Sequence, residues 1–475
     1  MSPTRRDLLR NGIALLGAGT LSRGAFASGW NPASTAALPD PDFYWGIGIE
    51  NCWIAQINPA KDGSRRLLDV YLQMQHYEKW KADLQLASAV GVNCIRYSVP
   101  WYRSEPSPST YDWSCIDGPI QYLVNELKII PVLDIIHYGT PAWMEDGIAD
   151  DRFSDALSAY TAAMATHFRG IVNHYTLQNE PQVNALFCGG VGRWPPYEHS
   201  PEAWSKLGVK LAKSAVQQER ALREAAPESI VISAEPFVFA AIGRTFFQRV
   251  ERTSPAARDL LTSAAIFPSC LSQGRVDASH PMAAFLQQHS IPAQDIEWFQ
   301  SNFAEPDIYG VNYYPEIENQ ALKGDYTTMP NLSLEEAAHR AAAFTEDRLR
   351  FAYGYYRAPI YLTETSAGLT AEKKTAYMEA LYNSILTLRG EGIPIRGLNW
   401  WPLFETIQWD YRENPSRPLK DFIYPGGWNN GLYTTESDPG GDLRRVHTWA
   451  ADTYRDIIAR DNLSWGPARK QKPKT

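Results

Sequence analysis

The sequence predicts a closed (β/α)8 barrel, a TIM barrel of the α/β class, and three observations predict it. Eight short runs rich in β-branched and aromatic residues recur along the chain. Longer helical stretches separate them, so the hydrophobic period switches repeatedly between two and 3.6. The runs are nearly continuous in apolar residues, the pattern of strands buried on both faces of a parallel sheet. Eight such units over 475 residues fit barrel closure. An open doubly wound sheet usually announces a glycine-rich phosphate loop after its first strand, and "GIGIENCWIA" lacks the third glycine in the required place.

The elements follow in order. "YWGIGI" (44–49) opens the barrel, and a helical stretch at 77–90 leads to the second strand, "VNCIRYSV" (92–99). "IIPVLDII" (129–136) and "VNHYTLQ" (172–178) are the third and fourth strands. A long helix over 202–225 precedes the fifth, "SIVISA" (229–234), and "DIYGVNYY" (307–314) is the sixth. The seventh, "PIYLTE" (359–364), is joined through a helix at 371–390 to the eighth, "IRGLNWW" (395–401). Three long connections, 188–199, 235–306 and 402–445, follow strand C-terminal ends and should wall the barrel mouth.

Both termini lie outside this pattern. Arg5 and Arg6, a short apolar run and Ala25-Phe26-Ala27 read as a twin-arginine export signal over 1–27 with an A-x-A cleavage site. The barrel domain then covers 28–465, and 466–475 is a basic, proline-broken disordered tail. No later stretch is long and apolar enough to span a bilayer, so the expectation is a soluble protein exported to a periplasm, with no membrane association after signal cleavage. A net charge of −8 without a basic stripe argues against nucleic acid as a partner. Five scattered cysteines form neither a disulfide framework nor a zinc site and read as small buried hydrophobes. No ligand cluster or nucleotide motif implies a metal or cofactor.

Ligands of this fold bind at the C-terminal ends of the strands. Arg96, His137, Asn179 with Glu180, Asn312 with Tyr314, Glu364, and Trp400 with Trp401 all stand there. Core packing does not call for such a set. Two carboxylates across a barrel mouth suit glycoside hydrolysis, one protonating the leaving oxygen and the other attacking the anomeric carbon or activating water. Arg96 and Tyr314 would keep one carboxylate ionised, and its charge would hold the other protonated. The 58 aromatic residues, 16 Trp, 25 Tyr and 17 Phe, divide between core and a possible sugar-binding role.

From about Phe43 to about Trp449 the chain resembles family 1 of the glycoside hydrolases, the β-glucosidase family. "HYTLQNEP" resembles its acid/base segment and "IYLTETSAG" its nucleophile segment. "GVNCIRYSVPWYRSEP", "HYGTPAWMED", "DIYGVNYYP" and "NWWPLFETIQWD" resemble the segments carrying its arginine, histidine, asparagine with tyrosine, and tryptophans. The resemblance implies a retaining β-glycosidase with Glu180 as acid/base and Glu364 as nucleophile. It implies that Asn179 meets the sugar 2-hydroxyl, that His137 meets the 3-hydroxyl region and that Trp401 floors the sugar. Arg96, Asn312 and Tyr314 would position Glu364, and Gln408 and Trp409 complete the substrate-binding set.

Departures fall on the sugar-reading residues. Trp53 stands where the family has a glutamine, with Glu50 and Asn51 close by. Gln408 replaces the glutamate that grips the 4- and 6-hydroxyls, Thr406 replaces an asparagine, and Tyr138 replaces a tryptophan. Trp194, in the connection after the fourth strand, is a candidate for the leaving-group subsite. A transglycosidase with the same residues, an endo-acting cellulase- or mannanase-like relative and a non-catalytic sugar-binding barrel are the competing readings.

Overall fold

The structure is a computed structural model that describes residues 36–55, 67–144, 146–237, 245–247, 254–315, 332–368, 370–407 and 430–465. The expected export signal and basic tail lie outside them. The barrel strands are β1 (Tyr44–Ile49), β2 (Cys94–Ser98), β3 (Ile130–Asp134) and β4 (His174–Thr176). β5 follows in two short pieces, Ile230–Val231 and Glu235–Pro236, then β6 (Tyr309–Asn312), β7 (Ile360–Thr365) and β8 (Ile395–Trp400). Each run expected from sequence contains its strand, trimmed by up to a few residues at either end, with two exceptions. β5 continues past its predicted end to Pro236, and β7 past its own to Thr365.

All neighbouring strands are parallel. β4 pairs with Ile230–Val231 and β6 with Glu235–Pro236, while Ile232 bridges Ile308 between the two pieces. The two edges of the sheet are therefore one divided strand, and the sheet closes as an eight-stranded barrel. Gly310 makes that seam possible: a Cβ there would lie 1.7 Å from the Ser233 carbonyl oxygen.

Helices cover the barrel where the sequence expects them. His76–Val90 ends at Gly91, whose φ of +86° suits a residue without Cβ. Pro201–Ala225 starts with Ser200 accepting from the Ala203 amide and proline in the first turn. Leu334–Tyr356 opens with a Ser333/Glu336 capping box, and Ala371–Gly390 is capped by Thr370. Among the described residues, the connection after β5 includes the helices Pro255–Ala265, Ser269–Ser272, Pro281–Gln288 and Ala293–Ser301. Among the described residues, no helix is long and apolar enough to cross a membrane. Cys52, Cys94, Cys188 and Cys270 are buried and Cys115 is partly so.

Inside the barrel, side chains change character with height, because alternate residues of a strand face inward. The lower inward cluster is Tyr44, Cys94, Ile130, Val132, Ile232, Ile308 and Tyr361. Two residues up the same strands from Cys94 and Val132 stand Arg96 and Asp134. Both are fully buried.

Candidate active site

Simple alternation does not deliver Glu364 to the interior. Tyr361 faces inward, so strict period two would turn Thr363 and Thr365 inward and Glu364 outward. β7 slips register instead: Leu362 pairs with Val311, and Glu364, two residues on, pairs with the next residue, Asn312. This bulge re-aims the side chain. Thr363 still donates to Asn312 Oδ1 at 2.7 Å, and Glu364 enters the mouth beside it. Its Oε1 accepts from Arg96 and its Oε2 from the Tyr314 hydroxyl at 2.7 Å.

Glu180 is set by backbone geometry of another kind. It has φ +42° and ψ +59°, left-handed values that cost a non-glycine residue energy. Its amide donates to the Ala234 carbonyl and that of Asn179 to Ile136, tying the end of β4 to both neighbouring strands. Pro181 then starts the helix Pro181–Ala185. The Glu180 carboxyl accepts from Asn312 Nδ2 at 3.1 Å through Oε1 and from the Tyr138 hydroxyl through Oε2.

Arg96 joins these parts. Its Nη2 donates to Asn179 Oδ1 at 2.9 Å and to Asp134 Oδ2 at 3.2 Å. His137 Nδ1 stands 2.6 Å from the same Asp134 oxygen, and its Nε2 receives Asn179 Nδ2 at 3.2 Å. These partners assign the ring proton to Nδ1. Asn179 Nδ2 also donates to the Tyr138 hydroxyl at 3.0 Å. Trp401 closes the opposite side, its ring 6.1 Å from that of Tyr314 and nearly perpendicular to it.

Four carboxyl groups, Glu50, Asp134, Glu180 and Glu364, thus surround one guanidinium. Burial works against the charge of Arg96, but Asp134, Glu50 and Glu364 outweigh it and push its pKa up. Burial pushes Glu180 up to about 8, and the charge of Glu364 adds to the shift; the donors Tyr138 and Asn312 pull the other way. The ranking of causes differs from the sequence expectation, which credited the neighbouring charge. Desolvation comes first because the glutamate is enclosed by the mouth.

The model of "Glycosyl hydrolase family 1" matches residues 58–412. The chain belongs to glycosyl hydrolase family 1. It is accordingly a retaining β-glycosidase. Its relatives include "Thermostable beta-glucosidase B" of Thermobispora bispora, 23% identical over 93% of this chain and 96% of that protein. "Beta-glucosidase 1B" of Phanerodontia chrysosporium is 22% identical over 79% of this chain and 81% of its own. A family 1 β-glucosidase structure from Thermotoga maritima, in complex with glucoimidazole, shares the fold with a TM-score of 0.65 at 16% identity. That match covers 89% of this chain and 99% of the other.

Of the family 1 residues expected from sequence, the structure brings together Arg96, His137, Asn179, Glu180, Asn312, Tyr314, Glu364 and Trp401. Gln408 and Trp409 lie outside the described residues. Thr406 is buried near Glu50. Trp194 is 2% exposed and packs against Tyr138 and Phe187, so it backs the site from behind instead of offering a face to a leaving group. Asn51 turns away from the mouth, donating to Tyr102 and Asp69 and accepting from the Tyr71 amide. Sequence reasoning missed Asp134 as a site residue, and it placed Tyr138 among the sugar-reading residues without its bond to Glu180. The signals were available: Asp134 ends an apolar strand, and Tyr138 follows His137 directly.

Proposed function

We propose that Glu364 is the nucleophile and Glu180 the acid/base of this β-glycosidase. The observation that carries the reading is the opposite treatment of the two carboxyls. Glu364 receives a guanidinium and a tyrosine hydroxyl, donors that favour an anion. Glu180 is desolvated and keeps its proton up to about pH 8. In the first step Glu364 attacks the anomeric carbon as the bond to the leaving oxygen breaks, and the Glu180 proton passes to that oxygen. In the second, Glu180 takes a proton from water, whose oxygen displaces Glu364 and frees the sugar.

Asn179 supports this scheme by meeting the 2-hydroxyl, held for the purpose by Arg96 and His137. His137 faces the 3-hydroxyl region and Trp401 floors the ring. The substrate we propose is a β-linked glucoside or short oligosaccharide, in line with the relatives named β-glucosidases. The changes at Trp53, Thr406 and Gln408 should loosen its preference for glucose. The test is trapping with a 2-deoxy-2-fluoro-β-glucoside followed by peptide mapping. The label is expected on Glu364; label on another residue would overturn the assignment.

We also propose that the enzyme is exported folded by the twin-arginine route, supported by Arg5, Arg6 and the Ala25-Phe26-Ala27 site. Scattered, largely buried cysteines suit folding in a reducing compartment before export. Replacing Arg5 and Arg6 together by lysine should leave active enzyme in the cytoplasm; undiminished periplasmic activity would refute it.

A further inference from the structure

The scheme above leaves one buried carboxyl of the mouth without a task. Glu50 follows β1 directly, and Tyr44, Gly46, Gly48 and Glu50 share the inward face of that segment by alternation. Its side chain is 1% exposed. Neither oxygen makes a close hydrogen bond among the described residues. Its polar neighbours are Arg96 Nη1, an ion pair at 3.4 Å, and the Trp401 indole. The same Arg96 nitrogen holds Glu364, so Glu50 is a neighbour of the nucleophile. Gly48 lets Glu50 and Trp401 meet, since a Cβ there would lie 2.4 Å from Glu50 Oε2 and 2.5 Å from Trp401 Cδ1.

A buried carboxyl whose hydrogen-bonding capacity is largely unfilled is costly, and native structures keep such a group where something else satisfies it. Here it lies between the candidate nucleophile's arginine and the ring on which the sugar is expected to stack. We infer that Glu50 is a specificity-determining residue that hydrogen-bonds hydroxyl groups of the sugar resting on Trp401. Burial pushes its pKa well above the carboxylate range; Arg96 opposes this, while Glu364 and Asp134 add to it. A carboxyl accepts from sugar hydroxyls through either oxygen, and when protonated it donates to one as well. Asn51 does not compete for the role, being committed to Tyr102, Asp69 and Tyr71.

The inference rests on the glycosidase reading of this mouth, and the test separates the two. Native enzyme, Glu50→Gln and Glu50→Ala are assayed on aryl β-glycosides that differ by one hydroxyl: glucoside, galactoside, xyloside and the 3-, 4- and 6-deoxyglucosides. Glu50→Ala is expected to lower kcat/KM by roughly 10²-fold on the best substrate, the scale of a lost hydrogen bond that leaves its buried partner unpaired. On the analogue already lacking the partner hydroxyl the loss should be under about threefold, so the ratio between the two sugars collapses. Glu50→Gln, nearly isosteric but with a different donor and acceptor pattern, should narrow that ratio by roughly threefold or more and serves as the readout if the alanine variant folds poorly. Equal losses on every sugar would assign Glu50 a structural hold on Arg96 and overturn the inference; so would unchanged ratios. Absence of turnover in native enzyme on the whole panel would refute the glycosidase reading instead.

Discussion

The lower and upper halves of the barrel interior are built on the same strands, yet they solve opposite problems. Below, Tyr44, Cys94, Val132, Ile232 and Tyr361 fill the interior with apolar surface, Tyr44 and Tyr361 stacked at 5.4 Å. Above, Arg96 and Asp134 continue two of these inward columns, and Glu50, Glu180 and Glu364 join them at the mouth. The lower half gains free energy by excluding water; the upper half spends it to hold charges where few waters reach. A few ångströms along a strand separate residues that hold the fold from residues arranged for chemistry.

The sharpest way to break this contrast is at Glu364. Glu364→Gln should lower kcat by roughly 10⁴-fold or more, the scale on which loss of a nucleophile acts. Thermal unfolding should show the variant still folded. Retained turnover would remove Glu364 from the chemistry.

Glu180→Gln comes next. It should cost roughly 10²–10⁴-fold on substrates with poor leaving groups, the usual worth of general acid catalysis, and far less in glycosylation by activated phenyl glycosides. The pH dependence has a definite sign. The Glu180 pKa is about 8 in the fold against an ordinary 4.5, so native kcat/KM should fall on the alkaline side near pH 8. The same shift makes the fold lose stability through this group as pH rises from 4.5 towards 8. Differential scanning calorimetry should find Glu180→Gln melting above the native protein at pH 8, with no such gain at pH 4.

The lower half should respond in the opposite currency. Ile232 is fully buried at the seam of β5. Ile232→Ala should cost about 2–5 kcal/mol in denaturant unfolding, the range for large-to-small core substitutions. Its kcat per folded molecule should stay within about twofold. A large kcat loss would mean that the two halves are coupled more tightly than their separate packing implies.

Tyr138→Phe is the mildest probe and sharpens the upper half. The Tyr138 hydroxyl donates to Glu180 and so favours its charged form. Without it, the alkaline arm of kcat/KM should move to higher pH, by up to about one unit. A shift to lower pH would mean that another contact of Tyr138 controls the acid.

Much of this was readable from residue types in order. β-branched and aromatic runs alternating with helical stretches specify eight buried parallel strands, since only a sheet covered on both faces accommodates them. Helical stretches at 77–90, 202–225 and 371–390 separate those runs, because their apolar residues recur with the period of a helix. Charged residues at strand ends mark the mouth. What the tertiary structure decided is which way each of these residues points. A bulge in β7 turns Glu364 inward against strict alternation. A left-handed backbone at Glu180 presents its carboxyl to Asn312 and Tyr138. Glu50 joins the mouth while Asn51, one residue on, joins the Tyr102 network, and Trp194 is packed from behind. Register slips and positive φ values are settled by closure of the whole barrel. A strand segment cannot encode them alone, because side-chain direction depends on the neighbours to which it pairs.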